Sequence, residues 1–362
     1  MMTTNKTTRI AILGTRARGG IRAVIENHVE SGVYQDLQYH ELHTHEEGSA
    51  AHRVVLAALA LLRFIGLLLR KEVDICHIHG SMKGSIYRKS LFVWLCRLFG
   101  VPVIFHLHGS EFADYYRKAG WLYKKVVHYV LNRSDCIFVL SRYWQDFLAS
   151  ICDNRNIVIV NNFPSAQFEQ LLCTRPYDET QNLNFLFLGY LGRRKGIYDL
   201  VEAVSSLREQ LPQGFRIHIG GNGEQDKVTR KIAELGVERY FEVHGWVSGE
   251  QKSHLLKTCN VLLLPSYNEG MPIAILEAFA AGLAVVSTRV GGIPDLITDD
   301  SVGFLIDAGD TDSLARRIAT LLHDPALIEH TARNANQVYN AQFSATANVS
   351  KIRTIYQELA TP

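Results

Sequence analysis

The sequence is as informative in what it lacks as in what it contains. It has no Cys-x-x-Cys pair, and its six cysteines stand alone at 76, 96, 136, 152, 173 and 259. Scattered single cysteines, several inside apolar runs such as DCIFVL, point to reduced core thiols in a cytosolic protein rather than a disulfide framework. There is no Arg-rich arm, no zinc-finger spacing and no aromatic RNA-binding signature, so nucleic acid is not an expected partner. No uncharged apolar run approaches the roughly 20 residues that a spanning helix requires. The most hydrophobic stretch, Val54 to Leu69, is interrupted by Arg63 into runs of nine and six residues, and a transmembrane span is not expected. The opening MMTTNKTTRIAILG lacks the pattern of a signal peptide, so secretion is not expected either. Low-complexity tracts and short-period repeats are missing. With 47% hydrophobic and 20% charged residues, wholesale disorder, collagen and coiled coil are excluded.

What is present is a chain of 362 residues, long enough for two domains that each bury a core without disulfides or metal. Its formal net charge of +2 hides an asymmetry. Residues 1–160 hold 20 Lys+Arg against 13 Asp+Glu, a net of +7, and the remainder holds 18 against 23, a net of −5. Such a split suggests that the two halves meet different partners.

Short apolar runs rich in β-branched residues alternate with helical periodicity throughout. In the first half, strands are expected near Ile10–Leu13, Ile75–His79, Val103–His106, Cys136–Leu140 and Ile157–Val160. Helices are expected at 21–29, 54–71, 88–99, 121–131 and 143–151. The pattern restarts with strands near Phe185–Leu188, Arg216–Ile219, Tyr240–Val243, Val261–Leu264, Ala284–Ser287 and Gly303–Ile306. The intervening helices fall at 199–208, 225–235, 251–257, 272–281, 311–322 and 325–339. Strands apolar on both faces and alternating with helices define an α/β protein of two doubly wound parallel sheets. The domains are expected over 1–162 and 163–344, with a boundary in 161–181 and a last helix within 345–362. Two such domains leave a cleft between them, and ligands bind outside the carboxyl ends of their strands. That singles out the loops 14–20, 80–84, 106–111, 189–196, 220–223, 245–248, 265–271 and 288–294.

The sharpest of these is LPSYNEGMPIAILE, Leu264 to Glu277. A strand ends in Pro-Ser, a polar loop carries Glu269 and Gly270, and a helix opens at Pro272. First-turn amides at a positive helix end form a ready diphosphate site. Met271 and Ile273 can donate a backbone N–H there, whereas Pro272 cannot. Glu277 lies too far along the helix to cap it and sits among Ile, Leu, Ala and Phe, where a carboxylate is costly without a partner. Two hydroxyl-accepting carboxylates flanking a diphosphate suit a sugar nucleotide. Spacing alone is equally compatible with a solvated Glu269 and a structural hydrogen bond at Glu277. The turn FLGYLGRRKG places Arg193, Arg194 and Lys195 between glycines on the ligand side, which fits a phosphate or a solvated basic turn. GTRARGG after the first strand lacks the G-x-G-x-x-G spacing and an acidic partner. Its Gly19 and Gly20 permit close backbone approach, but a tight turn explains them equally. His79, His106, His108 and Glu111 gather at neighbouring strand ends. Metal, acid–base chemistry or sugar hydrogen bonding could use them, but no further ligand stands at zinc spacing, so no metal site is expected. The stretch RVVLAALALLRFIGLLLRK reads as a buried crossover helix or as a surface that touches anionic membrane.

Together these residues resemble the family-4-type retaining glycosyltransferases of the GT-B fold, over nearly the whole chain. The most specific part is EGMPIAILEAFAAGLAVVSTRVGGIPDLI, and GYLGRRKG, HGSE, GGNG and VGFLI fall in the family's order. The resemblance implies that Glu269 contacts the donor sugar, Glu277 the ribose and Lys195 the nucleotide diphosphate. Amides around Gly270 and Met271 hold sugar and phosphates, and the adjoining Pro272 and Ile273 belong to the same donor set. Gly19 and Gly20 approach the diphosphate, and the loop with Gly245 and Val247 borders the base. His108 takes the place of the active-site histidine, with His79, His106 and Glu111 on the acceptor side. The catalytic set is then His108, Lys195 and Glu269. The last helix is expected to cross back onto the N-terminal domain. One departure stands out: Tyr190 occupies the position of a family arginine, leaving Arg193 or Arg194 to supply the charge.

The function this implies is transfer of a hexose-type sugar from a nucleotide diphosphate, UDP- or GDP-linked, to an acceptor hydroxyl, with retention, no metal and no cofactor. The basic, apolar N-terminal half suggests a lipid-linked glycan acceptor in cell-surface polysaccharide synthesis, and peripheral contact with the cytoplasmic membrane from the inside. A soluble acceptor is the alternative. A catalytically silent nucleotide-sugar binding protein is favoured only by Tyr190. A nicotinamide-dependent oxidoreductase is opposed by the missing dinucleotide fingerprint.

Overall fold

The computed structural model describes residues 7–17, 19–166, 168, 169 and 183–360. The chain divides into two compact units, Met1–Asn161 with Asn348–Pro362, and Asn162–Ala347. Each is an α/β unit around a six-stranded sheet. Most of the boundary expected at 161–181 lies outside the described residues, as does Cys173. The other five cysteines are buried.

The N-terminal sheet contains β1 (Arg9–Gly14), β2 (Gln38–His43), β3 (Ile75–Gly80), β4 (Val103–Leu107), β5 (Cys136–Val139) and β6 (Ile157–Ile159). Their order is β2-β1-β3-β4-β5-β6, with every neighbouring pair parallel. The order reverses between β1 and β3, and a doubly wound sheet opens its ligand crevice at such a switch point. β2 departs from the sequence expectation. QYHELH carries one buried residue in six because β2 is an edge strand, so it shows no apolar run. The short helix Phe112–Lys118 also escaped the periodicity.

The helix Ala50–Leu69 is the crossover from β2 to β3, and it is less buried than a core helix. It buries Ala60, Phe64, Leu67 and Leu68 and leaves Val54, Val55, Leu59, Leu62 and Leu69 exposed. By length and composition it is apolar enough to cross a membrane, yet it is seated on its own sheet, with Phe64 against Phe92 of the helix Gly84–Phe99.

The C-terminal sheet contains β7 (Asn184–Leu188), β8 (Arg216–Gly220), β9 (Phe241–Gly245), β10 (Val261–Leu264), β11 (Ala284–Thr288) and β12 (Phe304–Ile306). The order is β12-β11-β10-β7-β8-β9, again all parallel. Its central strands are solid hydrophobic runs: Leu262, Leu263 and Leu264 are fully buried, each contributing about 1.5–3 kcal/mol by leaving water. The chain leaves β7 toward β8 and β9, then returns to the opposite side as β10. The carboxyl ends of β7 and β10 therefore flank the switch point of this unit.

The last helix, Ala345–Ala360, joins the N-terminal unit from Asn348 onward. Ile352 and Tyr356 are buried there. Tyr356 Oη lies 2.6 Å from His77 Nδ1, and Arg353 donates to Asp36 at 3.1 Å.

Candidate functional site

In the C-terminal unit the loops after β7 and β10 meet across the switch point. The first closes in a 3-10 turn at Arg193–Lys195, ended by Gly196 at φ +72°. A Cβ on Gly196 would stand 1.9 Å from the Pro265 carbonyl oxygen, so only glycine allows the two loops to touch. The Tyr267 amide donates to the Arg194 carbonyl at 2.8 Å, and the Arg194 guanidinium donates to the Asn268 carbonyl at 3.1 Å. Arg193 remains exposed. Of the two arginines considered as substitutes for the charge missing at Tyr190, Arg194 is thus engaged on backbone, whereas Arg193 is exposed with its charge near Asp199 and Tyr267.

The side chain of Lys195 passes over Gly189 and forms an ion pair with Glu269. Glu269 also accepts from the Ser266 hydroxyl at 2.7 Å. Thr288 in turn donates to the Ser266 carbonyl at 2.5 Å. Glu269 is only 5% exposed, which makes it a fixed, dry carboxylate with one cation beside it. Gly291, at φ +54°, brings the next loop up to it, since a Cβ there would stand 1.8 Å from the Glu269 carbonyl oxygen. The Gly292 amide donates to the Gly270 carbonyl at 2.9 Å. Three loops thus clamp one acidic residue from both sides.

Pro272 precedes the helix Ile273–Ala280 as its N-cap, with no side-chain cap hydrogen bond there. Met271 is buried, and its carbonyl accepts from the Asn162 amide at 2.8 Å. Glu277 lies inside the helix, 6% exposed, and the partner its burial demands is Lys252, whose Nζ is 2.5 Å from Oε1. Lys252 also sits 4.6 Å from the Phe168 ring centroid. Sequence reasoning missed Lys252, Ser266, Thr288, Gly291 and Asn162 as members of this site, because each reaches it from a separate element. Gly245 (φ +69°) ends β9, and its carbonyl accepts from the Gly221 amide at 2.6 Å. Val247 is buried against Gly220.

In the N-terminal unit Gly19 has φ +149° and a Cβ on Gly19 or Gly20 would meet nothing within 4 Å. The histidines form a layer on one face of β3 and β4. Strand alternation puts His77 and His79 on that face, and His79 stands opposite His106 in register. His79 Nδ1 is 2.9 Å from His108 Nε2, and His77 Nε2 is 3.3 Å from His106 Nδ1. His28, on the helix Gly20–Glu30, stacks on His106. His79 and His106 are buried. His108 is partly exposed, and Glu111 is half-buried just before the helix Phe112–Lys118.

His77, His79 and His106 bring one ring nitrogen each within 4.8 Å of the others. This layer is made of neutral rings with no carboxylate or thiolate among those three residues, so a buried dication would find no anion to offset its charge. Burial depresses all five imidazoles, His28 and His108 to about 3. The sign of the linkage follows. An unfolded histidine takes up a proton near pH 6.5 and these folded ones do not, so their contribution is complete above about pH 6.5 and is lost as pH falls toward 3. The urea midpoint is accordingly expected to fall between pH 7.5 and 5.0, and less steeply in His28→Gln. A midpoint that is flat or rises on acidification would contradict the buried neutral layer.

Two parallel sheets of this order, with a lysine–glutamate pair at the switch point of the second, define the class. Residues 29–162 match the glycosyl transferase 4-like domain and residues 177–338 match the glycosyl transferases group 1 family. The chain belongs to the family-4-type glycosyltransferases with the GT-B fold. It is 25% identical over 366 residues to an uncharacterised glycosyltransferase of Methanocaldococcus jannaschii, covering 94% of this chain and 95% of that protein. It is 26% identical over 314 residues to glycogen synthase of Mycobacterium tuberculosis, covering 82% of this chain and 73% of the relative. The crystal structure of Anabaena HepE in complex with UDP and glucose superposes with a TM-score of 0.77 at 18% identity, over 97% of this chain and 100% of the other.

Proposed function

We propose that this glycosyltransferase is a retaining hexosyltransferase that uses a UDP- or GDP-sugar and needs neither metal nor cofactor for the transfer. The observation that carries this reading is the Lys195–Glu269 pair at the switch point. In the free protein the two charges neutralise each other. With a donor present, Lys195 turns to the diphosphate and Glu269 accepts a hydrogen bond from a sugar hydroxyl, while Glu277 holds the ribose. The bond between the anomeric carbon and the phosphate oxygen breaks, and the departing diphosphate gains charge. Lys195, Arg193 and the amides near Met271 and Ile273 stabilise that charge, preorganised in a site that needs little reorganisation. The acceptor oxygen bonds to the anomeric carbon on the same face, and its proton passes to the leaving phosphate oxygen. His108 hydrogen-bonds the reacting sugar. Neither group of metal-ligand residues among those described includes Glu269 or Glu277.

The UDP and glucose held by the Anabaena structure favour a UDP-hexose as donor. A thermal-shift screen against UDP-, GDP-, ADP- and TDP-sugars tests it, because a ligand that binds only the native state raises the apparent stability by RT ln(1 + [L]/Kd). A UDP- or GDP-sugar is expected to raise the midpoint, and to do so less in Glu277→Ala. Equal, null responses to the whole panel would count against donor binding.

For the acceptor, we infer a lipid-linked glycan met at the inner face of an anionic cytoplasmic membrane, in cell-surface polysaccharide assembly. Support comes from three neighbouring helices that expose large apolar side chains. Ala50–Leu69 contributes Leu59 and Leu62, Gly84–Phe99 contributes Trp94 and Leu98, and Trp121–Asn132 contributes Trp121 and Leu122. Arg53, Arg63, Arg70, Lys71, Lys124 and Lys125 lie along the same helices or at their ends, the pairing of apolar and basic groups that an anionic bilayer recruits. Co-sedimentation with phosphatidylglycerol vesicles at low salt is expected, and its loss in Leu62→Glu/Trp94→Glu. No binding by the native chain would remove the membrane from the account.

A further inference from the structure

We propose a second site on the C-terminal unit: a divalent transition-metal site formed by His218, Glu242 and His244 at the outer edge of the sheet. It adjoins the loop that begins at Gly245 and rests on no assumption about the transferase reaction.

The site follows from strand pairing. Among the described residues β9 is the edge strand and β8 its only neighbour. His218 on β8 stands opposite Glu242 on β9, so the two side chains share a face. His244 follows Glu242 by two residues on the same strand. The pairing then slips: Ile219 faces Val243, but Gly220 faces Gly245. His244 is therefore the extra residue of a bulge, a device that re-aims a side chain and recurs beside functional sites. It aims this one at its neighbours. His218 Nδ1 is 3.0 Å from His244 Nε2. Glu242 places one carboxylate oxygen 3.5 Å from His218 Nδ1 and the other 3.7 Å from His244 Nε2.

These spacings are close to those of ligands already around an ion. Zinc–nitrogen bonds of about 2.0–2.1 Å put tetrahedral ligands roughly 3.4 Å apart. The proton inventory points the same way. When both rings are neutral, the hydrogen bond between the two ring nitrogens uses a single proton, and the carboxylate faces both nitrogens at distances too long for a good hydrogen bond. One N–H is thus shared between a ring nitrogen and a carboxylate, and with each ring's proton on its far nitrogen a metal ion satisfies all three facing atoms together. Two imidazoles and a carboxylate suit Zn²⁺, Co²⁺, Ni²⁺ or Cu²⁺, and here, unlike in the buried histidine layer, an anion offsets part of the ion's charge. Both histidines are about 15% exposed and Glu242 is 57% exposed, which leaves water able to fill the remaining coordination. The site would staple the edge strand to its neighbour one residue before the turn at Gly245.

The test uses the full-length chain without a histidine tag. Titration with Co²⁺ is expected to give a visible d–d absorption that saturates at one equivalent and is displaced by Zn²⁺. Zn²⁺ is also expected to raise the melting temperature. Glu242→Gln, at an exposed position that leaves the fold intact, and His244→Asn are each expected to weaken Co²⁺ binding about tenfold or more. No saturable absorption overturns the proposal. So does an affinity in both variants equal to that of the native chain, which would place the ion elsewhere, for example in the buried histidine layer.

Discussion

Replacing Lys195 with Ala is expected to lower turnover of a sugar nucleotide by about 10²–10³-fold, the usual loss when one preorganised charge-stabilising group is removed from a transfer site. The loss falls mainly on kcat if Lys195 meets charge that develops only as the diphosphate departs. Stability complicates the single variant. Glu269 is buried, and removing its cation leaves an uncompensated charge held, among the described residues, by the Ser266 hydroxyl. Breaking such a buried pair costs about 3–5 kcal/mol. Lys195→Met/Glu269→Gln removes both charges at once and is expected to recover most of the lost melting temperature while staying inactive. An inactive but stable double variant separates a role in the reaction from a role in folding. Turnover near the native rate in both Lys195→Ala and Glu269→Gln would sink the assignment.

The second large effect is expected at Gly291. An alanine there meets two penalties: φ of +54° and a Cβ 1.8 Å from the Glu269 carbonyl oxygen. The loop must move, and we expect a loss of about 2–4 kcal/mol from strain and overpacking together. Gly282 provides the control. It also has positive φ, +71°, but a Cβ would meet nothing within 4 Å, so Gly282→Ala carries only the left-handed penalty of about 1–2 kcal/mol. Calorimetric melting of the two variants checks the difference. Gly291→Ala is also expected to lose activity beyond its loss of stability, because the residue that must yield is Glu269 itself. Equal melting shifts for the two variants would show that the loop accommodates the methyl group.

Much of the fold is legible in the sequence because both sheets are parallel. Their strands must be covered on both faces, so VLLL, AVVS and CIFV read as continuous apolar runs between helical stretches. β2 is illegible for the converse reason: as an edge strand it tolerates the mostly polar QYHELH. The donor-side loops are legible as well, since the ends of those apolar runs mark where they begin. Their cross-links are not. Nothing local in the sequence ties Lys252 to Glu277, 25 residues away and on another helix. Nor does the spacing of Gly291 reveal that it closes on Glu269. The histidines show a further limit. His-x-His on two strands marks a strand-end cluster, but whether His79 and His106 face solvent or the helix-covered layer depends on which face the helices Gly20–Glu30 and Ala345–Ala360 occupy. Their packing, through His28 and Tyr356, decides that.

The measurement that tests the central claim most directly is nucleoside diphosphate release by the full-length chain from UDP- and GDP-hexoses with a lipid-linked glycan acceptor, with the anomeric configuration of the product read by NMR. The account predicts release that depends on acceptor, stays active in chelator and disappears in Lys195→Met/Glu269→Gln, with the donor's configuration retained in the product. Binding of the sugar nucleotide without release, or a product of inverted configuration, would contradict it.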